Sequence, residues 1–267
     1  MEFQLNQEYI LEVKDVTKYF HGPAGAKNQI LENITFRLPA PSGRGLFAGI
    51  ISPVNAGKTT LLKVISCIEK PNSGEIIVEG KNYNSPDGSI AYIPEKPSSF
   101  PWMNVKQNIE FALNVSNSSE KKEKINIDEV ISIAGLTGYE DHYPHEKSSG
   151  FRFRISLARA LAAGSKIILL DDIFKNLHGE TKKEIINLIK LLPKELNRTF
   201  IFSTTNINEA ILISDKLFLM SHRPCKIIKE LDVDQPKLNE SPENISLLKN
   251  EIEKYYHTDG RIPSYAE

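Results

Sequence analysis

The chain has 267 residues, a formal net charge of −1, and charged side chains at 25% of its positions. A chain of this length can bury one hydrophobic core, alone or with a smaller subdomain. The near-zero net charge gives no electrostatic reason to expect nucleic acid as a partner. No apolar segment approaches the roughly 18 residues of a membrane-spanning helix, residues 1–10 lack the pattern of a secretory signal, and two isolated cysteines suit a reducing compartment. We therefore expect a cytoplasmic protein.

The N-terminal part of the chain is predicted to form strands and turns. Residues 10–13 and 34–38 alternate apolar and polar side chains in the manner of edge strands. Residues 46–51 form a continuous apolar run, which is typical of a strand buried on both faces. A helix is predicted at residues 60–65. Two further strands follow at residues 74–80 and 90–93.

From residue 96 to residue 161 the pattern becomes mostly helical. Residues 105–115 carry apolar side chains at the spacing of one helix face, and further helices are predicted at 130–136 and 155–161. Residues 116–124 are polar and charged, so we expect a solvated loop after the first of these helices. The segment as a whole is predicted to be a helical insert.

Buried strands return after the insert. Apolar runs at residues 167–170, 199–202 and 217–220 alternate with helical segments. This order predicts an α/β fold with a mostly parallel sheet that is covered on both faces. A last helix is expected to begin at Pro242, with Ser241 as its N-cap.

A phosphate-binding loop is predicted between the buried strand at 46–51 and the helix that follows it. Its residues are Asn55, Ala56, Gly57, Lys58, Thr59 and Thr60. Backbone N–H groups in such a loop point at phosphates, Lys58 supplies a positive charge, and the Thr59 hydroxyl is a ligand for Mg²⁺. Gly-Lys-Thr is common by chance, and a surface turn is the alternative. The strand before the loop and the helix after it favour a nucleoside triphosphate, with ATP as the expected ligand.

The loop departs from the usual pattern at two positions. Ser52 replaces its first glycine, and Asn55 replaces an inner residue that is often glycine. Asn adopts the left-handed backbone conformation more readily than other non-glycine residues. We therefore expect the turn to form, with the Asn55 side chain close to the phosphates.

Several segments, in the same order, resemble the ATP-binding-cassette (ABC) transporter ATPases, in particular importers of the nitrate, sulfonate and taurine type. Besides the phosphate loop they are residues 16–20, 92–97, 100–102, 143–152, 156–161, 169–172, 203–206, 209–210 and 223–224. The resemblance implies one domain over residues 1–267 with a P-loop NTPase core, an N-terminal antiparallel β-subdomain and an inserted helical subdomain. We expect the core with its β-subdomain at 1–95 and 162–230, the helical subdomain at 96–161, and a C-terminal helix and tail at 231–267.

The resemblance also implies how the nucleotide and the metal are held. Phe20 is expected to stack on adenine, with core packing as the alternative. Asp171 is expected in the Mg²⁺ shell, with a strand-end cap as the alternative. Glu95 occupies the position that senses Mg²⁺, and its carboxylate can bind the ion.

Five residues differ from the pattern of the family. Asp172 replaces the glutamate that orients the attacking water, Thr205 replaces the switch histidine, and Glu95 replaces a glutamine. His178 replaces the aspartate of the loop that crosses the dimer, and Ile173 replaces a proline. Withdrawing the catalytic carboxylate by about 1 Å or more can cost on the order of a hundredfold in rate. We expect impaired hydrolysis with retained Mg·ATP binding, while a working substitution at Asp172 and neutral drift at Thr205 stay open.

The family works as a head-to-tail pair, in which each ATP lies between the phosphate loop of one subunit and the signature of the other. The signature residues here are Ser148, Ser149 and Gly150; Ser149 replaces a glycine, and the preceding Lys147 replaces an apolar residue. Their helix N-terminus is expected to bind the γ-phosphate in trans. We expect a heterodimer with a competent ATPase, and a homodimer stays open.

The other expected partners are a transmembrane permease, contacted from the inner face of the cell membrane, and indirectly a substrate-binding protein. The apolar segment 100–103 is expected to form a groove for a permease helix, and for Trp102 core packing is an equal alternative. A non-hydrolysing, ATP-gated structural subunit is the alternative function. A small GTPase or a kinase is disfavoured because the sequence has no N-K-x-D motif. The permease and the binding protein choose the transported substrate, so this chain does not specify it.

Overall fold

The computed structural model describes residues 8–22, 25–96, 98–116, 126–146 and 148–258. Its strands and helices, in chain order, are β1 (Tyr9–His21), β2 (Lys27–Pro39), β3 (Leu46–Ile51), α1 (Lys58–Ile65), β4 (Ser73–Val78), β5 (Lys81–Asn82), β6 (Ile90–Ile93), α2 (Val105–Ser116), α3 (Ile127–Ile133), α4 (Ser149–Ala162), β7 (Ile167–Asp171), α5 (Gly179–Leu196), β8 (Thr199–Thr204), α6 (Ile207–Ile213), β9 (Lys216–Met220), β10 (Ile227–Asp232), α7 (Gln235–Glu240) and α8 (Pro242–Thr258). They form two sheets and the helices packed on them.

The N-terminal strands form an antiparallel sheet in the order β2-β1-β4-β5. The prediction that residues 10–13 form an edge strand is wrong, because β1 pairs with β2 on one side and with β4 on the other. The alternation along β1 has a different cause, since one face of the strand packs on the core and the other does not. The segment at 34–38 does lie on an edge strand, β2.

The second sheet has six strands in the order β10-β9-β3-β8-β7-β6. All neighbouring pairs from β9 to β6 are parallel, and β10 pairs antiparallel with β9. Every residue of β7 and β8 is buried, as their apolar runs predict. The prediction of an α/β fold with a mostly parallel sheet and an antiparallel subdomain is confirmed.

Successive residues of the parallel strands point into two different cores. In β3, Ala48 and Ile50 pack with α1 and the antiparallel sheet. Phe47 and Ile51 pack on the other side with residues of α4, α5, α6 and α8. Burial on both faces therefore explains the unbroken apolar runs of the central strands.

Helices α2, α3 and α4 pack against one another and supply the helical insert that the sequence predicts. Val105, Ile109, Val130 and Phe153 are buried in their shared core. The predicted solvated loop at 116–124 lies almost entirely outside the described residues.

The C-terminal helix α8 begins as predicted. Ser241 Oγ accepts a hydrogen bond of 3.1 Å from the Glu243 backbone N–H, which is an N-cap contact. Further along α8, the Tyr256 hydroxyl donates to the backbone oxygen of Ile51 at 3.0 Å. This bond ties the helix to the end of β3, next to the predicted phosphate loop. Within the described ranges, no helix is long and apolar enough to span a membrane.

Candidate functional site

The predicted phosphate loop connects β3 to α1. Gly57, the N-cap of α1, has a φ of 136°, and a Cβ at this position would lie 2.9 Å from Ile30 Cγ2. Both the backbone conformation and the packing therefore require glycine. Asn55 has a φ of 60°, so it adopts the left-handed conformation that we expected of it. The loop turns as predicted in spite of its non-glycine residue.

Lys58 is held by the loop that precedes it. Its Nζ lies 3.4 Å from the backbone oxygen of Ser52, 3.3 Å from Ser52 Oγ and 3.4 Å from the backbone oxygen of Pro53. Ser52 thus contributes a hydroxyl acceptor that the usual glycine lacks. Burial lowers the pKa of Lys58, while the charges of Asp172 and Asp171 oppose this shift. A buried ammonium group of this kind favours an anionic ligand.

A cleft of ≈ 260 Å³ opens beside the loop. Its lining consists of Val54, Asn55, Ala56, Gly57, Lys58, Thr59, Thr60, Glu95, Asp172, Lys175, Thr205 and Arg223. The structure therefore brings the loop together with Glu95, Asp172 and Thr205, as the sequence predicts. Lys175 and Arg223 are lining residues that the sequence did not single out for nucleotide binding. Lys175 could have been predicted from the sequence because it lies in the turn that directly follows Asp172.

Asp171 ends β7 and accepts hydrogen bonds from three hydroxyl groups. Thr59 Oγ1 and Ser203 Oγ lie 3.1 Å and 2.8 Å from Asp171 Oδ1, and the Tyr92 hydroxyl lies 2.8 Å from Asp171 Oδ2. Burial and the Asp171 charge raise the pKa of Tyr92, so this hydroxyl stays protonated and donates. Tyr92 and Ser203 fall in segments that resemble the family, but neither was predicted to be a site residue.

The oxygen atoms near Asp171 suit a hard divalent cation. Thr59 Oγ1 donates a hydrogen bond to Asp171 Oδ1 at 3.1 Å, and Thr59 and Glu95 both line the cleft. Mg²⁺ prefers oxygen ligands and commonly uses one or two protein groups together with substrate phosphates. Thr59, Asp171 and Glu95 therefore fit the ion that the sequence implies.

Asp172 follows β7 in a left-handed backbone conformation, with a φ of 46°. Its backbone N–H donates to Ser203 Oγ at 3.0 Å, so one serine on β8 contacts both adjacent acidic residues. Burial raises the pKa of the Asp172 carboxyl, and the charges of Lys58 and Lys175 oppose the shift. The carboxyl group is thus close to two cations and lines the cleft.

Glu95 forms an ion pair at the rim of the cleft. Its Oε1 lies 3.0 Å from Lys175 Nζ and accepts a second hydrogen bond from Asn176 Nδ2 at 3.4 Å. The hydrogen bond and the charge of Glu95 raise the pKa of Lys175. Thr205 comes directly after β8 and lines the cleft beside these groups.

The signature residues lie elsewhere. Ser148 is the N-cap of α4, and its Oγ accepts a hydrogen bond of 3.3 Å from the Phe151 backbone N–H. Ser149 is the first residue of the helix, and Gly150 is buried where a Cβ would lie 2.4 Å from Thr181 Cγ2. None of the three lines the phosphate cleft. Lys147 is outside the described residues.

Phe20 and Trp102, for which core packing was the alternative interpretation, are both exposed. Phe20 has 40% of its surface exposed, with Lys18 Nζ 4.8 Å from its ring centroid, and Trp102 has 69% exposed. Core packing is therefore excluded for both. Phe20 is not among the residues that line the phosphate cleft. Its role toward adenine stays a prediction.

Comparison with known proteins agrees with this fold. A family model described as ABC transporter matches residues 31–175. The chain is 30% identical to the nitrate import ATP-binding protein NrtD of Synechocystis sp., over 93% of this chain and 92% of that protein. It is 31% identical to the aliphatic sulfonates import ATP-binding protein SsuB of Bacillus cereus, over 94% of this chain and 98% of that protein. A taurine import ATP-binding protein of Roseobacter denitrificans is 29% identical, over 82% of this chain and 81% of that protein.

Solved structures share the fold. A dimeric ATP-binding cassette, MJ0796, superposes with a TM-score of 0.71 at 23% identity, covering 84% of this chain and 99% of that one. The cbiO1 protein of Clostridium perfringens also superposes with a TM-score of 0.71 at 23% identity, covering 91% of this chain and 99% of that one. The two sheets, the helical insert and the phosphate loop define an ATP-binding cassette. The chain belongs to the ABC transporter family.

Proposed function

We propose that this chain is a subunit of an importer-type ABC transporter that binds Mg·ATP at an interface with a second ATPase and so drives a membrane permease. The observation that carries the proposal is the cleft at the phosphate loop, which Lys58 and Thr59 line and where Thr59 Oγ1 donates a hydrogen bond to Asp171 Oδ1. The names of the relatives, which are import ATP-binding proteins for nitrate, sulfonates and taurine, support an importer.

The retained residues suit binding of the triphosphate. The loop N–H groups and Lys58 would hold the outer phosphates, because both provide hydrogen-bond donors and positive potential. Thr59, Asp171 and Glu95 would hold Mg²⁺, which supplies charge neutralisation of the phosphates when it is bound. Tyr92 and Ser203 keep the Asp171 carboxylate oriented through their two hydrogen bonds.

The replaced residues suit slow hydrolysis. Asp172 lines the cleft, but its carboxyl group is one methylene shorter than the glutamate expected at this position. Thr205 cannot provide the reach or the charge of an imidazole. Because phosphoryl transfer depends on positioning and charge stabilisation, each change is expected to slow the reaction while leaving binding in place.

The position of the signature supports a composite site. Ser148, Ser149 and Gly150 lie at the N-terminus of α4, and none of them lines the cleft of its own chain. A second subunit is therefore needed for any phosphate to contact both elements. We favour a heterodimer, in which a competent partner hydrolyses the ATP that is bound against Ser148 and Gly150 of this chain. A homodimer would place the short Asp172 carboxylate at each of its two sites.

The proposal is tested by the ATPase activity of the purified chain. We expect Mg·ATP binding that the Lys58→Ala variant loses, together with a turnover well below that of a competent ABC ATPase. A normal turnover that Lys58→Ala abolishes would contradict impaired hydrolysis. Single-turnover assays with and without a competent partner would separate a transport ATPase from a non-hydrolysing structural subunit.

A further inference from the structure

Lys175 is a cation that lines the nucleotide cleft but does not belong to the phosphate loop. It lies in the turn after β7, where its backbone N–H donates to the backbone oxygen of Asp172 at 3.2 Å. This turn places Lys175 in the lining of the cleft together with Lys58 and Thr205. The position is therefore set by the backbone that carries Asp172.

The ion pair between Lys175 and Glu95 can be exchanged at low cost. The two side chains are 58% and 35% exposed, and their charged atoms are 3.0 Å apart. Exposed pairs of this kind contribute little to stability, because water screens them and both side chains lose rotamer freedom. A phosphate is a strong acceptor for an ammonium group. Lys175 can therefore leave Glu95 when a phosphate enters the cleft.

The carboxyl groups of the cleft favour an additional cation beside the phosphates when ATP binds. Glu95 and Asp172 both line the cleft, so the terminal phosphate would enter near two carboxyl groups. Thr205 has no charge to offer at the position where the family carries histidine. Lys58 and Lys175 are the two cations whose charges act most strongly on Asp172, and Lys58 already contacts the loop. Lys175 is the one with an exposed, movable ammonium group.

We propose that Lys175 is a phosphate-binding residue of this site, and that it exchanges Glu95 for the terminal phosphate of ATP. The inference rests on the proposed ATP site and adds a preference for the triphosphate. ADP lacks the phosphate that Lys175 contacts, so Lys175 discriminates between ATP and ADP. The exchange also frees Glu95 to approach the Mg²⁺ that accompanies the nucleotide.

The first experiment measures the dissociation constants of Mg·ATP and Mg·ADP for the full chain and its variants by calorimetry. Lys175→Gln is expected to weaken ATP about tenfold and to change ADP by less than about twofold. Lys175→Arg keeps the charge and should retain most of the ATP preference. The matched control is Lys183→Gln, which breaks an exposed lysine pair with Glu180 on α5, outside the cleft. Equal losses for ATP and ADP, or no loss for either, would overturn the proposal.

The second experiment tests the exchange of partners in the presence of a chelator, where Glu95 has no metal to bind. Glu95→Gln is then expected to tighten ATP binding, because Lys175 no longer has a competing carboxylate. In a Lys175→Gln background the same substitution should have a clearly smaller effect. Equal effects in both backgrounds would show that Glu95 acts only as a nearby negative charge, and would contradict the exchange.

The measurements would differ if the cleft were not the nucleotide site at all. If the unaltered chain bound no Mg·ATP, or if Lys58→Ala bound it normally, the cleft itself would not be the nucleotide site, and both proposals would fall. If Lys58→Ala abolished binding while Lys175→Gln left the ratio of ATP to ADP affinity unchanged, only the role of Lys175 would be wrong.

Discussion

A single methylene separates Asp172 from the glutamate expected at its position, and restoring it is a direct test of why hydrolysis should be slow. Asp172 already lines the cleft beside Lys58. We predict that Asp172→Glu raises the ATP turnover of the purified chain by about tenfold, because the carboxylate then reaches the attacking water. Adding Thr205→His should raise it further.

The control for this prediction is Lys58→Ala in the same background, which should return the turnover to zero. With Lys58 intact, binding of Mg·ATP should stay constant in Asp172→Glu and after the addition of Thr205→His, because neither of these two substitutions removes a phosphate-binding group. A turnover that does not change in Asp172→Glu and in the double variant would mean that the short carboxylate does not limit the rate.

The hydrogen bond from Tyr92 to Asp171 leads to a second prediction about a single residue. Tyr92→Phe removes a donor at 2.8 Å from a buried carboxylate, leaving the hydroxyls of Thr59 and Ser203. We predict a loss of about 1–2 kcal/mol in the free energy of unfolding, measured by urea denaturation.

Tyr83→Phe is the matched control for Tyr92→Phe. Tyr83 is a buried tyrosine, whereas Tyr92 is partly buried, and among the described residues the Tyr83 hydroxyl makes no hydrogen bond to a carboxylate. Its replacement should therefore change stability much less. Equal losses in the two variants would show that the Asp171 contact adds nothing beyond the burial of a ring.

At the scale of elements, the groove beside α2 is the surface where a permease is expected. Trp102 is 69% exposed, and its ring centroid is 5.5 Å from that of Phe100, which also contacts Phe111. The groove has a volume of ≈ 430 Å³ and is lined by Trp102, Met103, Gln107, Glu110, Phe111 and Asn114. Tryptophan is one of the residue types that are enriched among those carrying most of the binding energy of protein interfaces.

We predict that Trp102→Ala weakens binding to the permease by at least about tenfold and leaves Mg·ATP binding within about twofold. Co-purification from membranes and nucleotide titration measure the two effects. Leu247→Ala is the matched control, since Leu247 is 66% exposed on α8, away from the groove. If permease binding and ATP binding fell together, Trp102 would be only structural.

A strand could be predicted from the sequence only where its burial produces a recognisable run or alternation of apolar residues. The central strands are buried on both faces, so their apolar runs identified them. Strand β10 is only partly buried along its length, which leaves no run or alternation to detect. The extension of β1 and β2 to 13 residues was missed, because left-handed residues at Asp15 and Asn33 and shifts in register interrupt the alternation.

The site divides in the same way between local and tertiary contributions. The phosphate loop is local, so one segment was enough to predict it. The contacts around Asp171 come from neighbouring strands: Tyr92 lies on β6, and Ser203 on β8 is the register partner of Asp171 on β7. The sequence alone did not give the order of these strands. The ion pair of Lys175 with Glu95 joins residues far apart in sequence and was missed for that reason.

At the scale of the whole molecule, the phosphate cleft and the N-terminus of α4 are formed by different residues of the chain. Ser148 caps α4, and it does not line the cleft of its own chain. If the proposed head-to-tail pair forms, Ser148 faces the γ-phosphate bound by the partner. A negative charge at Ser148 should then act on a nucleotide that this chain does not itself bind.

Ser148→Asp tests this arrangement without disturbing the helix. Aspartate is as good an N-cap as serine, so the free energy of unfolding should change by less than about 0.5 kcal/mol. In a purified complex with a competent partner ATPase, however, the new carboxylate would repel the partner's γ-phosphate. We predict that ATP hydrolysis by the complex falls by at least about tenfold, while ATP binding to the isolated chain is unchanged.

The matched control is Asn126→Asp, which adds the same charge at the N-cap of α3, where Asn126 accepts a hydrogen bond of 3.0 Å from the Asp128 backbone N–H. It should leave hydrolysis by the complex unchanged, because α3 carries no signature residue. Full activity in Ser148→Asp would mean that the signature of this chain does not contact phosphate in the complex. Loss of activity in both variants would point to net charge as the cause. Only a loss confined to Ser148→Asp agrees with a site completed by two chains.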